Sequence, residues 1–440
     1  MNKMCYYISI FFCVKDISCR RCNSQKGREK MNVAILGYGV VGSGVAEVIS
    51  KNADIMKKNS NVSLSLSHIL DVRDFENCPF QDIMTKDFYD ILNDSKVDIV
   101  VETMGGVSPA FEFVSVCLKA GKHVVTSNKE LVAVKGYELL EIARKKDVNF
   151  LFEAAVGGGI PIIRPISRCL AGNKISEVAG ILNGTSNFIL TKMIMDNMDF
   201  DVALKLAQEK GYAEKDPTAD VEGFDALRKI CILASLCFGS HVYPNGVYTE
   251  GISKITLEDV DFASSYGCVI KLIAKAKKMD DEKISLTVSP CFVKKESMLA
   301  GVNGVFNACL VRGDAVGDVV LYGQGAGKLA TASAVVGDVI DCACNTKERK
   351  FFGWDEEKPG FLADYLDEEI SLYVRATAES MENAEAEIEH TLGEVTYISR
   401  ENQSFDEIAF VTPKMTEREL RKILAKLPLS IISTIRTVDY

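Results

Sequence analysis

The segment NVAILGYGVVGSGVAEVISK, residues 32–51, limits the fold more than any other stretch of this 440-residue chain. An apolar strand runs into Gly37, Gly39 and Gly42, and a helix follows at once. In a G-x-G-x-x-G turn the first glycine permits the tight bend, the second lets a pyrophosphate approach the backbone, and the third lets helix and strand pack closely. The helix opens at Val40 and Val41, so its first N–H groups can face the phosphates. Placed between a strand and a helix, the motif predicts a dinucleotide-binding unit; without that setting it would carry little weight.

The same rhythm continues downstream. SLSLSHIL, VDIVVET, KHVVTS and VNFLFEAAV read as strands, with SPAFEFVSVCLKAG and KELVAVKGYELLEIARKK as helices among them. This alternation predicts an α/β fold: a Rossmann-type, doubly wound parallel sheet over residues 31–159. Glycine-rich turns from AAVGGGIPIIRPI onward mark a second, α+β domain over 160–318. GQGAGKLATASAVVGDVIDCA predicts a return helix within 319–345 that packs on the first domain. Residues 370–440 follow the order βαββαβ, a ferredoxin-like plan. Residues 1–30 have an apolar run and a basic tail but no small-residue cleavage site, and read as an extension, disordered or not translated.

Composition narrows the function. A formal charge of −10 lacks the basic footprint of a nucleic-acid binder, and no apolar run reaches the roughly 18 residues of a membrane span. The 14 cysteines are scattered singly through apolar runs, as reduced thiols in a cytoplasmic protein would be. Cys19 and Cys22 form one C-x-x-C with no second pair to complete a zinc site. The four histidines show no metal-ligand spacing. Small-molecule chemistry is the expectation.

GYAEKDPTADVEGFDALRK, residues 211–229, crowds charge against ICILASLCF, which is apolar on every helical face and therefore reads as a buried helix. Pro217 biases Asp216 to extended backbone, so 211–220 is expected as loop and the helix should start between Gly223 and Asp225. Asp225 and Lys229 then stand one turn apart on a buried helix. Exposed, such a pair only steadies the helix. Buried, the lysine is pushed toward neutrality by desolvation and held charged by the carboxylate, a balance that suits proton transfer near neutral pH. Glu214 and Asp220 offer carboxylates to a substrate ammonium group.

Thr126 to Lys129 form a second polar knot at the carboxyl edge of the sheet, where Lys129 can meet cofactor or substrate. Asp71 after the second strand favours NAD through the ribose hydroxyls, while Arg73 favours NADP through the 2′-phosphate, so both remain open. Glu153 and the carbonyls that follow it in EAAVGGGIPI make an oxygen cluster that could hold a monovalent cation.

GYGVVGSG, VVETMGG, AGKHVVTSNKELVA, FEAAVGGGIPII, GILNGTSNFIL, GYAEKDPTADVEGFDALRK and EGISKITLEDV together resemble homoserine dehydrogenase across residues 31–440. The resemblance implies a monofunctional enzyme that interconverts L-homoserine and L-aspartate 4-semialdehyde with NAD(P), on the route to threonine, methionine and isoleucine. It implies Lys229 as the proton-transferring group, Asp225 as its partner, Glu214 as a substrate ligand and Lys129 beside nicotinamide and substrate. Thr103, the turn Gly37 to Gly42, and Gly325 and Gly327 match cofactor contacts. A structural Na+ is implied on Glu153 with backbone oxygens of Val156, Gly158 and Ile160. A homodimer or homotetramer, dimerised through the second domain, and a C-terminal ACT-like domain are implied as well.

Some stretches depart from the family pattern. ESMLAG at 296–301 replaces a histidine–proline pair, Gln324 replaces an arginine, and the tail lacks the proline–glycine turn usual after the first ACT strand. Two rival functions fit the same fold: a catalytically idle sensor, and a dehydrogenase of another small amino-acid aldehyde. Retention of Glu214, Asp225 and Lys229 argues against the sensor.

Overall fold

The computed structural model describes residues 30–346, 348–350 and 352–440. The Cys19–Cys22 pair and the extension before Lys30 lie outside the described residues. β1 (Lys30–Leu36), β2 (Ser63–Leu70), β3 (Met84–Thr85), β4 (Val97–Glu102), β5 (His123–Thr126) and β6 (Phe150–Leu151) form a six-stranded parallel sheet in the order β3-β2-β1-β4-β5-β6. Val33, Ile35, Val100, Val101, Val124 and Val125 are fully buried at its centre. Such unbroken apolar strands are what a parallel sheet covered on both faces requires. The strand order reverses between β1 and β4, which opens a crevice at their carboxyl ends.

β6 is shorter than the expected VNFLFEAAV. After Leu151 the chain turns into a 3-10 helix, Glu153–Ala155, because the Glu153 N–H is taken by the Asp338 carboxylate at 2.8 Å instead of by a neighbouring strand. Asp338 lies on the return helix Lys328–Cys344, which packs on the first sheet with the helix Val40–Lys51.

The second sheet has eleven strands. Nine run in the order Gly317–Gln324, Phe306–Gly313, Ile175–Ile181, Cys268–Lys278, Ile284–Lys294, Ser430–Val438, Glu369–Thr377, Glu407–Val411 and Thr396–Tyr397. Gly317–Gln324 pairs antiparallel with Phe306–Gly313, so the chain leaves this sheet at Gly325, later than the boundary expected at 318. The helix Phe224–Phe238 lies within the core, with Ile230, Cys231, Ile232, Leu233 and Ala234 fully buried.

The tail has one two-residue strand, Met415–Thr416, beyond the expected βαββαβ order, and it is not a separate bead. Its last strand pairs antiparallel with Glu369–Thr377 and parallel with Ile284–Lys294, through Cys291↔Arg436 to Val293↔Val438. The EGISKITLEDV motif serves this docking: Thr256 and Asp259 form a capping box, and Asp259 accepts the Tyr373 hydroxyl at 3.1 Å. Between return helix and tail, the only tryptophan, Trp354, is buried and donates to His241 Nδ1 at 2.9 Å.

Candidate active site

At the end of β1, Gly37 takes φ +96°, a region closed to most side chains. A Cβ on Gly42 would fall 1.9 Å from the Gly37 carbonyl oxygen, so helix and turn meet only because that side chain is missing. Above Gly39 the space is open, with Arg73 Nη2 the nearest atom at 3.9 Å. The helix Val40–Lys51 has neither a side-chain cap nor an acid in its first turn, so its leading N–H groups are available to an anion. Thr103 braces the turn by donating to the Gly37 carbonyl at 2.9 Å. These features fit a dinucleotide pyrophosphate.

Asp71 closes β2 and is gripped from two sides. It accepts the Tyr38 N–H at 2.7 Å, and Arg73 donates to both its oxygens, Nε at 3.0 Å and Nη2 at 2.9 Å. Those Arg73 bonds hold the Asp71 carboxyl down to about 2. The Arg73 guanidinium also lies over the Phe75 ring, 5.1 Å from its centroid.

The lysine–aspartate cluster sits at the start of the buried helix Phe224–Phe238. The expected loop before it contains one helical turn, Thr218–Val221, which Pro217 can open because its φ is already helix-like. Asp225 and Lys229 are 3% and 7% exposed. Lys229 Nζ donates to Asp225 Oδ2 and to the Leu182 carbonyl, each at 2.7 Å. An ammonium has three N–H donors, so one is left for a ligand. From the first domain, Lys129 Nζ reaches Asp225 Oδ1 at 2.5 Å.

Electrostatics separate the two lysines. Burial lowers the Lys229 pKa, and Asp225 offsets only part of that shift. Burial acts on Lys129 in the same sense, but there Asp225 prevails and the pKa is raised. Burial pushes the Asp225 carboxyl up, yet Lys229 and Lys129 outweigh it and keep Asp225 well below the ordinary carboxylate range. Asp220 is raised, by burial first.

Asn183 joins these acids and was not foreseen. Its Nδ2 donates to Asp220 Oδ1 at 2.7 Å and to Asp225 Oδ2 at 2.9 Å, while its Oδ1 caps the helix Gly184–Asp196 through the Ser186 N–H. An Asn before Gly-Thr-Ser signals an N-cap. Its bridge to acids far along the chain leaves no local sign.

A crevice of about 710 Å³ brings the expected residues together: Lys129, Glu214, Asp220, Asp225, Lys229, Gly325 and Gly327 all line it, as do Val41, Val156 and Gly158. Gly37, Gly39, Val40 and Gly42 form the phosphate turn beside it, with Thr103 and Arg73 lying against that turn. Glu214 is exposed, and its carboxylate has no partner among the described residues.

At the expected cation site the Glu153 carboxylate accepts the N–H groups of Ile162, Ile163 and Arg164 at 2.6, 2.7 and 2.8 Å, which caps the turn there. Among the described residues no group of three or more His, Cys, Asp or Glu is set for a metal. Gly158 lets two turns touch, since a Cβ there would fall 2.2 Å from the Gly325 carbonyl oxygen.

An anion-ready glycine turn and a buried lysine–aspartate pair sharing one crevice define a dehydrogenase that uses a nicotinamide dinucleotide. Residues 37–153 match the family model for the homoserine dehydrogenase NAD-binding domain, and residues 161–340 match the model for homoserine dehydrogenase. The chain belongs to the homoserine dehydrogenase family, oxidoreductases that interconvert L-homoserine and L-aspartate 4-semialdehyde. It is 42% identical over 315 residues to a homoserine dehydrogenase of Bacillus subtilis, covering 70% of this chain and 72% of that one. A homoserine dehydrogenase structure from Thiobacillus denitrificans matches with a TM-score of 0.85 at 35% identity, over 93% of this chain and 98% of that one. A hyperthermophilic archaeal homoserine dehydrogenase, solved in complex with NADPH, matches with a TM-score of 0.60 at 27% identity, over 71% and 97%. No helix among the described residues is long and apolar enough to cross a membrane.

Proposed function

We propose that Lys229 moves the proton at the substrate oxygen in the interconversion of L-homoserine and L-aspartate 4-semialdehyde. One observation carries this reading: a buried ammonium with two of its three N–H groups engaged, on the wall of the crevice that the glycine turn adjoins. When bound, the dinucleotide supplies or accepts the hydride. In reduction Lys229 donates a proton to the developing alkoxide; in oxidation its neutral form takes the hydroxyl proton. Asp225 holds Lys229 in place and opposes its full discharge. Lys129 adds positive charge from the facing domain, and Glu214 and Asp220 take the substrate ammonium group.

The cofactor reading favours NADP(H). Both oxygens of Asp71, the acid that would bind ribose hydroxyls, are already engaged, and Arg73 stands exposed beside Gly39. A structural Na+ would rest on Glu153 with backbone oxygens of Val156, Gly158 and Ile160. A homodimer, pairing through the free edge of Gly317–Gln324 where Tyr322 is 56% exposed, completes the assembly, and residues 370–440 act as an ACT-like module in a cytoplasmic amino-acid biosynthetic enzyme. The test is steady-state oxidation of homoserine and of a panel of other amino alcohols with NADP and with NAD. Preference for homoserine supports the proposal; turnover of another amino alcohol in its place would overturn it.

A further inference from the structure

Glu102 closes β4 and is fully buried, yet no cation touches its carboxylate among the described residues. A buried acid with no counter-charge is costly unless its oxygens are fully hydrogen-bonded. Here they are, and by two different loops. Oε1 accepts the N–H groups of Met104 and Gly105 at 2.7 and 3.3 Å, from the loop after β4. Oε2 accepts the Thr126 hydroxyl at 2.5 Å, from the end of β5. Burial raises the Glu102 pKa against the pull of these bonds.

The bonds extend in both directions. Thr126 Oγ1 accepts the Asn128 N–H at 2.9 Å; Asn128 Nδ2 donates to the Gly106 carbonyl at 2.6 Å, and its Oδ1 accepts the Leu131 N–H at 3.1 Å, capping the helix Lys129–Lys146. Lys129 is the first residue of that helix. On the other side Thr103, next to Glu102, donates to the Leu36 and Gly37 carbonyls of the phosphate turn. Glu102 thus stands midway between the turn and Lys129.

We propose that Glu102 is a positioning residue: by bracing the loops after β4 and β5 it sets Lys129 opposite Asp225 and in register with the glycine turn. The proposal rests on the role given to Lys129 above. That side chain is long and partly exposed, and it spans two domains to reach Asp225, so its aim depends on where its backbone is held. A displacement near 1 Å in such a site can lower turnover about a hundredfold. An acid fits where an amide does not. Both Glu102 oxygens accept, which leaves the Thr126 oxygen free to receive Asn128. A glutamine would turn its NH2 toward Thr126 and force that hydroxyl hydrogen elsewhere.

The test measures kcat/KM for homoserine, dinucleotide affinity by calorimetry and thermal melting in Glu102→Gln, Thr126→Val and Thr126→Ser, each made alone and with Lys129→Met. Alone, Glu102→Gln and Thr126→Val are expected to lower kcat/KM at least about tenfold, while Thr126→Ser, which keeps the hydroxyl, stays within about twofold. Dinucleotide affinity stays within about threefold, and the Glu102→Gln loss disappears once Lys129 is methionine, because coupled sites are not additive. An undiminished loss in the Lys129→Met background, or an unaffected Glu102→Gln enzyme, overturns the proposal. Full activity of Lys129→Met by itself would instead remove the role of Lys129. If Glu102→Gln melts early, the Thr126 pair decides the matter.

Discussion

Asp225 in the crevice and Glu417 in the tail are each buried between two cations, and they serve opposite ends. Asp225 lies between two lysines. Glu417 lies between two arginines, with Arg421 Nη2 and Arg436 Nη2 both 2.7 Å from its Oε1, and Arg436 Nε also donates to its Oε2 at 3.0 Å. A lysine ammonium is a point charge whose pKa falls readily on burial, so it can exchange a proton. A guanidinium stays charged and uses its planar fork to fix geometry. Burial lowers the Lys229 pKa, and although burial acts on Arg436 in the same sense, Glu417 prevails and raises it. In the proposed reading the same ionic motif exchanges protons at one place; at the other it is a clamp that ties the last strand to the tail helix Glu417–Leu424.

The comparison breaks most readily at the clamp. Glu417→Ala takes its nearest counter-charge from buried Arg436 and leaves only Glu250, 3.5 Å away, so stability should fall by about 3 kcal/mol in urea denaturation, with turnover per folded molecule unchanged. A large loss of turnover at unchanged stability would mean that the clamp takes part in catalysis.

At the crevice, Lys229→Arg keeps a cation on the same helix but cannot release a proton. It should lower kcat by about a hundredfold or more, as should Lys229→Ala, with dinucleotide affinity nearly unchanged. If arginine restored activity, charge alone would be the requirement. A smaller effect is expected at the cofactor end. Arg73→Ala frees the Asp71 carboxylate to meet ribose hydroxyls, and the NADP-over-NAD ratio of kcat/KM should fall about tenfold, or ~1.4 kcal/mol. An unchanged ratio would place the preference elsewhere.

Local features of both regions could be read from the chain alone. The glycine turn, the apolar central strands and the i, i+4 spacing of Asp225 and Lys229 on an all-apolar helix are short-range patterns with one physical meaning each. The order of the tail was legible apart from the two-residue strand Met415–Thr416. Its fusion to the second sheet through Arg436 and Cys291 was not, because pairing between distant strands carries no periodic mark. Leu182 and Asn183 escaped for a similar reason: a backbone carbonyl and a capping amide acquire their partners only when the second sheet places its strand end against the catalytic helix. Glu102 did carry a signal, an acid closing an apolar strand, but its meaning depends on Thr126 across the sheet. Glu153 is a similar case: the acid beside a run of carbonyls was plain, but the three amide donors it accepts, from Ile162 to Arg164, were not.

The most direct test of proton transfer by Lys229 is the pH dependence of homoserine oxidation. The neutral amine is the base, and burial lowers its pKa, so kcat/KM should rise with pH through a value below the ordinary lysine pKa of about 10.4. Asp225 holds the ammonium charged; Asp225→Asn should therefore move that rising limb to lower pH, and the falling limb of semialdehyde reduction with it. A limb that stays in place in Asp225→Asn and persists in Lys229→Arg would contradict the account.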